Sequence, residues 1–494
     1  MVRKTHNHGL HVYERGDTDW THAPDMETIE RRLVVRGERA ALDSYDPHDG
    51  ATFVATDTGA VFDGDGDSWS RATRRYAETT VDDLRTRETP VADVRAYGAT
   101  GDGESDDTEA IRSAIDTDGA AVAYLPKGTY RVTDELSLDS TNLRGDGAGA
   151  TTIALDERVD RALAVDGAGG GVADLTVECN GMAMEGVRLA AEHALAERVA
   201  VDHVTQWGDR DESTACINVM SAPHATVESC RATRARAPNT GVSNGIHVAG
   251  DGGGVTIRNC AVDDVTPKAD GDGIVVQGLN DGTRVIGNHV TNAAKSALKL
   301  NRPTERPISV LATGNTLQAG SNCLSIARIQ GTETTFAGNT LVQDRVADAA
   351  LRVSTDPDLD AAPVTVTGNV IELTDPADGN DLIRIRDWDR GVVVSGNTCK
   401  LYGGGNCGIR ADSSENVVIE GNALDQVGET AISLVGTSLA SVTGNVVDDA
   451  GTAGISLDAE ASRCVVTGNV VDAPDGITVA DGAADVAVGT NVGG

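Results

Sequence analysis

Apolar residues in this chain fall at alternate positions in short runs, and the runs return at a nearly constant interval. A β-branched or small-residue run ends in Gly-Asn again and again: Val285-Ile286-Gly287-Asn288, Thr313-Gly314-Asn315, Ala337-Gly338-Asn339, Val366-Thr367-Gly368-Asn369, Val394-Ser395-Gly396-Asn397, Ile419-Glu420-Gly421-Asn422, Val442-Thr443-Gly444-Asn445 and Val466-Thr467-Gly468-Asn469. Looser copies stand at Arg258-Asn259 and Thr490-Asn491. From Asn259 to Asn491 the successive asparagines are 29, 27, 24, 30, 28, 25, 23, 24 and 22 residues apart. Alternation predicts strands, and a repeat of this length without helical spacing predicts a solenoid of stacked coils. Gly supplies the backbone conformation of a corner, and Asn tolerates the left-handed region beside it. The asparagines are therefore expected to hydrogen-bond along the stack, with no role in chemistry.

A second repeated strand reads small-[Ile/Leu/Val]-x-[Val/Leu/Ile], as in Gly245-Ile246-His247-Val248 and Gly454-Ile455-Ser456-Leu457. Its first apolar member falls at 163, 187, 217, 246, 274, 298, 324, 351, 383, 409, 432, 455 and 477. These thirteen rungs, at ~4.8 Å each, predict a stack about 60 Å long. The two apolar members point inward and the residue between them points out. The outward column reads Ala164, Arg188, Asn218, His247, Val275, Lys299, Ser325, Arg352, Arg384, Arg410, Ser433, Ser456, Thr478. Two residues before the first apolar member stand the carboxylates Glu185, Asp272, Asp381 and Asp475. Trp207 and Trp388 lie in loops beside this face, suited to stacking on sugar rings. One reading is a groove for an acidic glycan, held by Arg188, His247, Lys299, Arg352, Arg384 and Arg410. The other, weighted equally, is a solvated face whose arginines pair with nearby aspartates.

Four regions are expected. Residues 1–45 form an N-terminal segment with a short helix over Met26–Val35, and residues 46–90 a small β-hairpin module with a linker. Residues 91–160 form a cap, and residues 161–494 the solenoid. Within the hairpin module, Asp63, Asp65 and Asp67 are spaced like a calcium loop, but no Glu follows at the twelfth position, so an Asp-Gly turn is favoured and no metal is expected. The stretch Val94-Arg95-Ala96-Tyr97-Gly98-Ala99-Thr100-Gly101-Asp102-Gly103-Glu104-Ser105-Asp106-Asp107-Thr108-Glu109-Ala110-Ile111, continued in Tyr124-Leu125-Pro126-Lys127-Gly128-Thr129-Tyr130, resembles the N-terminal cap of the pectate-lyase superfamily. That resemblance, with the repeat, covers roughly residues 92–494 and implies an all-β, right-handed parallel β-helix. Ser105 or Asp106 is the expected helix cap, and Ala110, Ile111, Ala114 and Ile115 form the apolar stripe that closes the first coil.

The superfamily includes polysaccharide lyases, polygalacturonase-like hydrolases and viral tailspikes, so the fold leaves the function open. Polygalacturonase-type hydrolases are known for three aspartates, a Gly-His-Gly and an Arg-Ile-Lys on successive rungs. Carried over by rung, the first acid falls on Asn244, the acid pair on Gly271 and Asp272, and the histidine rung on Ser296-Ala297. An Arg-Ile-Arg, Arg384 to Arg386, lies several rungs further on. The hydrolase set is incomplete, and Asp272, Glu185 and Asp381 remain the candidate catalytic carboxylates. For a lyase, Lys299 or Arg352 is the candidate base.

The formal charge is −35, and among 41 basic residues six are Lys. Together with 3% aromatic residues, this resembles proteins of halophilic archaea, in whose brine the Debye length falls below ~3 Å. Eight cysteines stand singly without zinc spacing, and Cys230 and Cys260 are expected as stacked thiols of neighbouring coils. No 18-residue apolar run is present, so membrane insertion is not expected. Neither a nucleic-acid partner nor a cofactor is expected. The opening Met1-Val2-Arg3-Lys4-Thr5-His6 carries no apolar leader. The segment around Trp20 and the Thr56-Asp57-Thr58-Gly59 hairpin resemble pieces of tailed-virus tail and baseplate proteins. The expectation is a tailspike or receptor-binding protein of a haloarchaeal tailed virus, acting outside the cell. It would join other tail proteins through its N-terminal segment and bind, with depolymerisation open, an acidic surface polysaccharide or glycoprotein glycan. The last coil lacks a closing helix, so a homotrimer or a covering chain is expected. The alternatives are a cellular polysaccharide lyase or hydrolase and a non-catalytic appendage.

Overall fold

The computed structural model describes residues 34–37, 52–55, 61–64 and 68–71 of a first unit, Met1–Thr89. Of a second, Pro90–Gly494, it describes 91–493 apart from 119, 208–212, 239–240, 302–307, 322, 356–361 and 403. In the first unit, Val34–Gly37 runs parallel to Thr52–Ala55, which pairs antiparallel with Val61–Gly64, and that strand pairs antiparallel with Trp69–Arg71. An antiparallel pair thus stands where the hairpin was expected. The helix expected over Met26–Val35 lies outside the described residues except for Val34 and Val35, which are strand.

The second unit is a parallel β-helix. One fourteen-stranded sheet runs in order from Leu136–Leu138 to Ile477–Val479. The remaining strands pair rung upon rung in a second parallel sheet of 30 strands that bends around the Gly-Asn corner. Period-2 alternation puts Leu163, Val187, Ile217, Ile246, Ile274, Leu298, Leu351, Ile383, Ile409, Ile432 and Ile455 in the core, all with no exposed surface. Burying each such side chain contributes about 1.5–3 kcal/mol, so the interior column is a leading source of cohesion between coils. Among the described residues there are fourteen rungs rather than thirteen, because Leu136-Ser137-Leu138 pairs below Leu163-Ala164-Val165.

One rung was misaligned by the sequence pattern. Opposite Leu298-Lys299-Leu300 stands Ala327-Arg328-Ile329, not Leu324-Ser325-Ile326. Ala327 occupies the place that a branched residue fills elsewhere, so the apolar pattern pointed three residues too early. The outward column therefore runs Lys299, Arg328, Arg352, Arg384, Arg410, and Ser325 is buried outside it.

At the corner, glycines such as Gly287 and Gly396 adopt φ of 63° and 61°, a left-handed turn that costs glycine nothing. Each following asparagine is buried. Asn288 Nδ2 donates to Asn315 Oδ1 at 3.0 Å and to the Ile257 carbonyl at 3.1 Å, while the Asn288 backbone N–H donates to the same Asn315 oxygen at 2.9 Å. The pattern repeats through Asn339, Asn369, Asn397, Asn422, Asn445 and Asn469 to Asn491. Its first member is Cys260, whose N–H donates to Asn288 Oδ1. Asn259 instead takes the glycine's place, at φ 55°. Cys230 and Cys260 are both buried free thiols.

The helix Thr108–Ile115 buries Ile111, Ala114 and Ile115, and Ala110 packs against the same core. Ser105 and Asp106 belong to the strand before it, and Asp107 holds the cap position. Asp106 nonetheless accepts from the Thr108 N–H at 3.1 Å, while the buried Asp107 carboxylate accepts from the N–H groups of Thr100 and Gly101 and ties the preceding loop to the helix start. Among the described residues no helix is long and apolar enough to cross a membrane.

Candidate functional site

The outward face of the fourteen-stranded sheet divides into three stretches. The first is a cleft of about 440 Å³, lined in part by Arg161, Glu185, Arg188, Asn218, His247 and Gln277. Strand pairing sets these side chains in two columns: Arg161 opposite Glu185, and Arg188, Asn218 and His247 on consecutive rungs. Asn218 Nδ2 donates to Glu185 Oε1 at 2.6 Å, and Arg188 Nη1 lies 3.7 Å from Oε2. Burial raises the Glu185 carboxyl above its ordinary range, against the pull of Arg188 and of the Asn218 hydrogen bond.

His247 is 3% exposed, and its Nε2 lies 2.8 Å from Gln277 Nε2. The amide nitrogen can only donate, so the neutral imidazole keeps its proton on Nδ1. Burial, with the Lys299 charge as a second cause, pushes the imidazole pKa down to about 4. Three buried polar atoms in this cleft have no hydrogen-bond partner: Glu185 Oε2, Asn218 Oδ1 and His247 Nδ1. Buried polar atoms are ordinarily satisfied, so these three leave hydrogen-bonding capacity that water or a polar ligand can take up.

In the second stretch the charges are spent on one another. Arg328 donates to Ser296 Oγ and to Asp272 Oδ1, each at 2.7 Å, and Lys299 Nζ donates to Asp270 Oδ2 at 2.9 Å. Burial raises the Asp272 pKa, with Arg328 opposing. In the third stretch Arg352 lies 3.1 Å from Asp348, Arg384 lies 3.0 Å from both Asp348 and Asp412, and Arg410 lies 2.6 Å from Asp412. Asp381 is fully buried there, accepting from the Cys407 N–H at 3.0 Å and Asn406 Nδ2 at 3.2 Å, and burial pushes its pKa up to about 6.

The fold thus brings Glu185, Arg188 and His247 together and sets Asp272 and Asp381 apart from them. Glu185 and Asp272 are three rungs apart, about 14 Å, beyond the ~5–9.5 Å at which two carboxylates cooperate in glycoside hydrolysis. Trp388 is fully buried, and its indole N–H donates to the Ala362 carbonyl at 3.0 Å, so no sugar can stack on it. Trp207 is half-buried. Arg161 and Gln277 went unnoticed in the sequence. Arg161 stands in the same column as Glu185, so reading that column for all charges rather than for carboxylates would have found it. No group of three or more His, Cys, Asp or Glu able to hold a metal occurs among the described residues.

The family model described as rhamnogalacturonase A/epimerase, pectate lyase-like, matches residues 91–341, and one for the right-handed β-helix region matches residues 331–492. The chain is 38% identical over 106 residues to alginate lyase 7 of Azotobacter vinelandii, covering 18% of this chain and 12% of that protein. It is 37% identical over 112 residues to mannuronan C5-epimerase AlgE1 of the same organism, covering 19% of this chain and 8% of that protein. Among solved structures, the pre-mature gene product 12 of bacteriophage phi29 aligns with 83% of this chain and 58% of its own, at 14% identity and a TM-score of 0.51, a likeness of fold.

Proposed function

The chain belongs to the rhamnogalacturonase A/epimerase, pectate lyase-like family, and from that premise we propose that it binds an acidic polysaccharide in the cleft around Glu185, Arg188, Asn218 and His247. The observation that carries the reading is the trio of buried polar atoms in that cleft that make no hydrogen bond. Arg188, 3.7 Å from Glu185, and Arg161, 3.0 Å from Glu135, offer their remaining N–H groups to a sugar carboxylate or sulfate, His247 Nδ1–H a donor, and Asn218 Oδ1 an acceptor for a hydroxyl. Lys299, Arg352, Arg384 and Arg410 keep their acidic partners and extend the face as a charge-balanced track, with Trp207 at its side. The wider role we favour is attachment of a virus tail to an acidic glycan of a halophilic host. The resemblances of the N-terminal segment to tail proteins support it; that segment would join the tail.

Calorimetric titration in molar salt with polyuronate oligomers and with neutral dextran tests the binding. Uronate binding that weakens at least tenfold in Arg188→Ala, with dextran inert, is the expected result. Equal affinity for both polymers, or unchanged uronate affinity in Arg188→Ala, refutes the cleft as the site.

A second reading, depolymerisation, draws on the Glu185 carboxyl, whose pKa burial raises above its ordinary range although a cation stands beside it. Reducing or unsaturated sugar ends released by the wild type, and not by Glu185→Gln, would favour it.

A further inference from the structure

The side of the stack that carries the Gly-Asn corner has a surface unlike the rest of the molecule. Three outward columns run along it. One passes through Leu311, Thr335, Thr365, Val393, Val418, Ser441, Val465 and Ala487. The second passes from Thr313 to Thr467, and the third from Thr316 through Val370, Val446 and Val470 to Val492. Over these stretches Glu420 is the one charged side chain among the described residues, in a chain where 24% of residues are charged, whereas in the coils before them the first two columns carry Arg284 and Arg258. Four valines of the face are well exposed: Val446 at 47%, Val465 at 43%, Val470 at 45% and Val492 at 63%. Two residues further along the third column's strands, the surface reverts to Glu372, Lys400, Asp425 and Asp448.

We propose that this face is where copies of this chain pack side by side. The partner follows from charge. Between two molecules that each carry −35, close approach is opposed least where neither presents charge. A cationic partner would be drawn to the acidic flanks instead, and a sugar would find no aromatic platform within these columns. The patch measures about 34 Å by 15 Å, roughly 500 Å². That is the size of the apolar centre of a standard interface of about 800 Å² per partner, whose remainder is polar rim. The alternating Glu372, Lys400 and Asp425 supply such a rim. The proposal does not rest on the cleft, which lies on the other sheet.

The test is the mass of the full chain by light scattering in low salt and in molar NaCl, for wild type, Val446→Asp with Val470→Asp, and Ala459→Asp as a control on an exposed turn outside the face. The wild type and control are expected at a multiple of 51.0 kDa, more completely in molar salt, and the double variant at the single-chain mass with unchanged circular dichroism. A monomeric wild type under both conditions, or a double variant of wild-type mass, overturns the proposal. If the double variant does not fold, thiol labelling decides. All eight native cysteines are buried, so a maleimide should react with Val446→Cys at least tenfold more slowly than with Ala459→Cys. Equal rates overturn it.

Discussion

Arg328 Nη2 donates to Asp272 Oδ1 at 2.7 Å across 56 residues of sequence, with the two side chains 8% and 1% exposed. Removing one member of such a pair strands the other's charge in the interior, which costs about 3–5 kcal/mol, whereas removing both is far cheaper. Arg328→Met is therefore expected to lower the denaturation midpoint sharply. Asp272→Asn combined with Arg328→Met should recover most of the loss. A double-mutant cycle by urea denaturation checks this, and additive losses would refute it.

Asp381 gives stability a pH dependence opposite to the usual carboxylate. Burial raises its pKa from 3.8 to about 6, so the folded chain holds this proton more tightly than the unfolded chain. Its contribution is complete below pH 4 and is lost as pH rises through 6. Asp381→Asn keeps an oxygen for the Cys407 N–H and should stabilise by about 2–3 kcal/mol at pH 7.5, with no gain at pH 4. His247 acts in the other direction. Held neutral with a pKa of about 4, it contributes stability that is full above 6.5 and is lost as pH falls toward 4. Denaturation midpoints across pH 4–8 for wild type, Asp381→Asn and His247→Gln separate the two.

Asn397 lies mid-ladder, donating to Asn422 Oδ1 and the Val366 carbonyl while its own oxygen accepts from Asn369. Asn397→Ala strands buried groups on both neighbouring coils and should cost about 1–3 kcal/mol. Asn491→Ala, at a half-buried rung with a ladder neighbour on one side, should cost clearly less. Comparable losses at the two positions would refute the ladder as a source of cohesion.

Trp388→Ala is expected to cost about 3–5 kcal/mol through the cavity it leaves, with polyuronate affinity unchanged at temperatures where the variant stays folded. A loss of affinity without a loss of stability would return Trp388 to the binding face.

The coils were legible because their cause is local. Alternation sets which residues face inward, and the corner needs Gly and then a small amide, so both leave a trace in every repeat. The outward column followed from the same ruler and failed where Ala327 replaced a branched residue. Trp388 was misplaced because a loop tryptophan has no period, and its burial depends on where the Ala362 carbonyl arrives from 26 residues away. The cleft was only half visible. Arg188, Asn218 and His247 stood in the column, but that Asn218 Oδ1 and His247 Nδ1 lack hydrogen-bond partners, while Arg328 and Arg384 have theirs, depends on which groups the neighbouring rungs deliver.

The asparagine ladder has a direction. From Asn288 to Asn469 each Nδ2 donates toward the next coil, and each Oδ1 as far as Asn491 receives from the one before, so nine side-chain dipoles from Asn288 to Asn491 point the same way. Rotating one amide by half a turn would set N–H against N–H on one side and oxygen against oxygen on the other. No member can reverse alone. The orientation of any one amide therefore fixes all the others, and the corner of this β-helix is a single polarised line with one state rather than a row of independent staples.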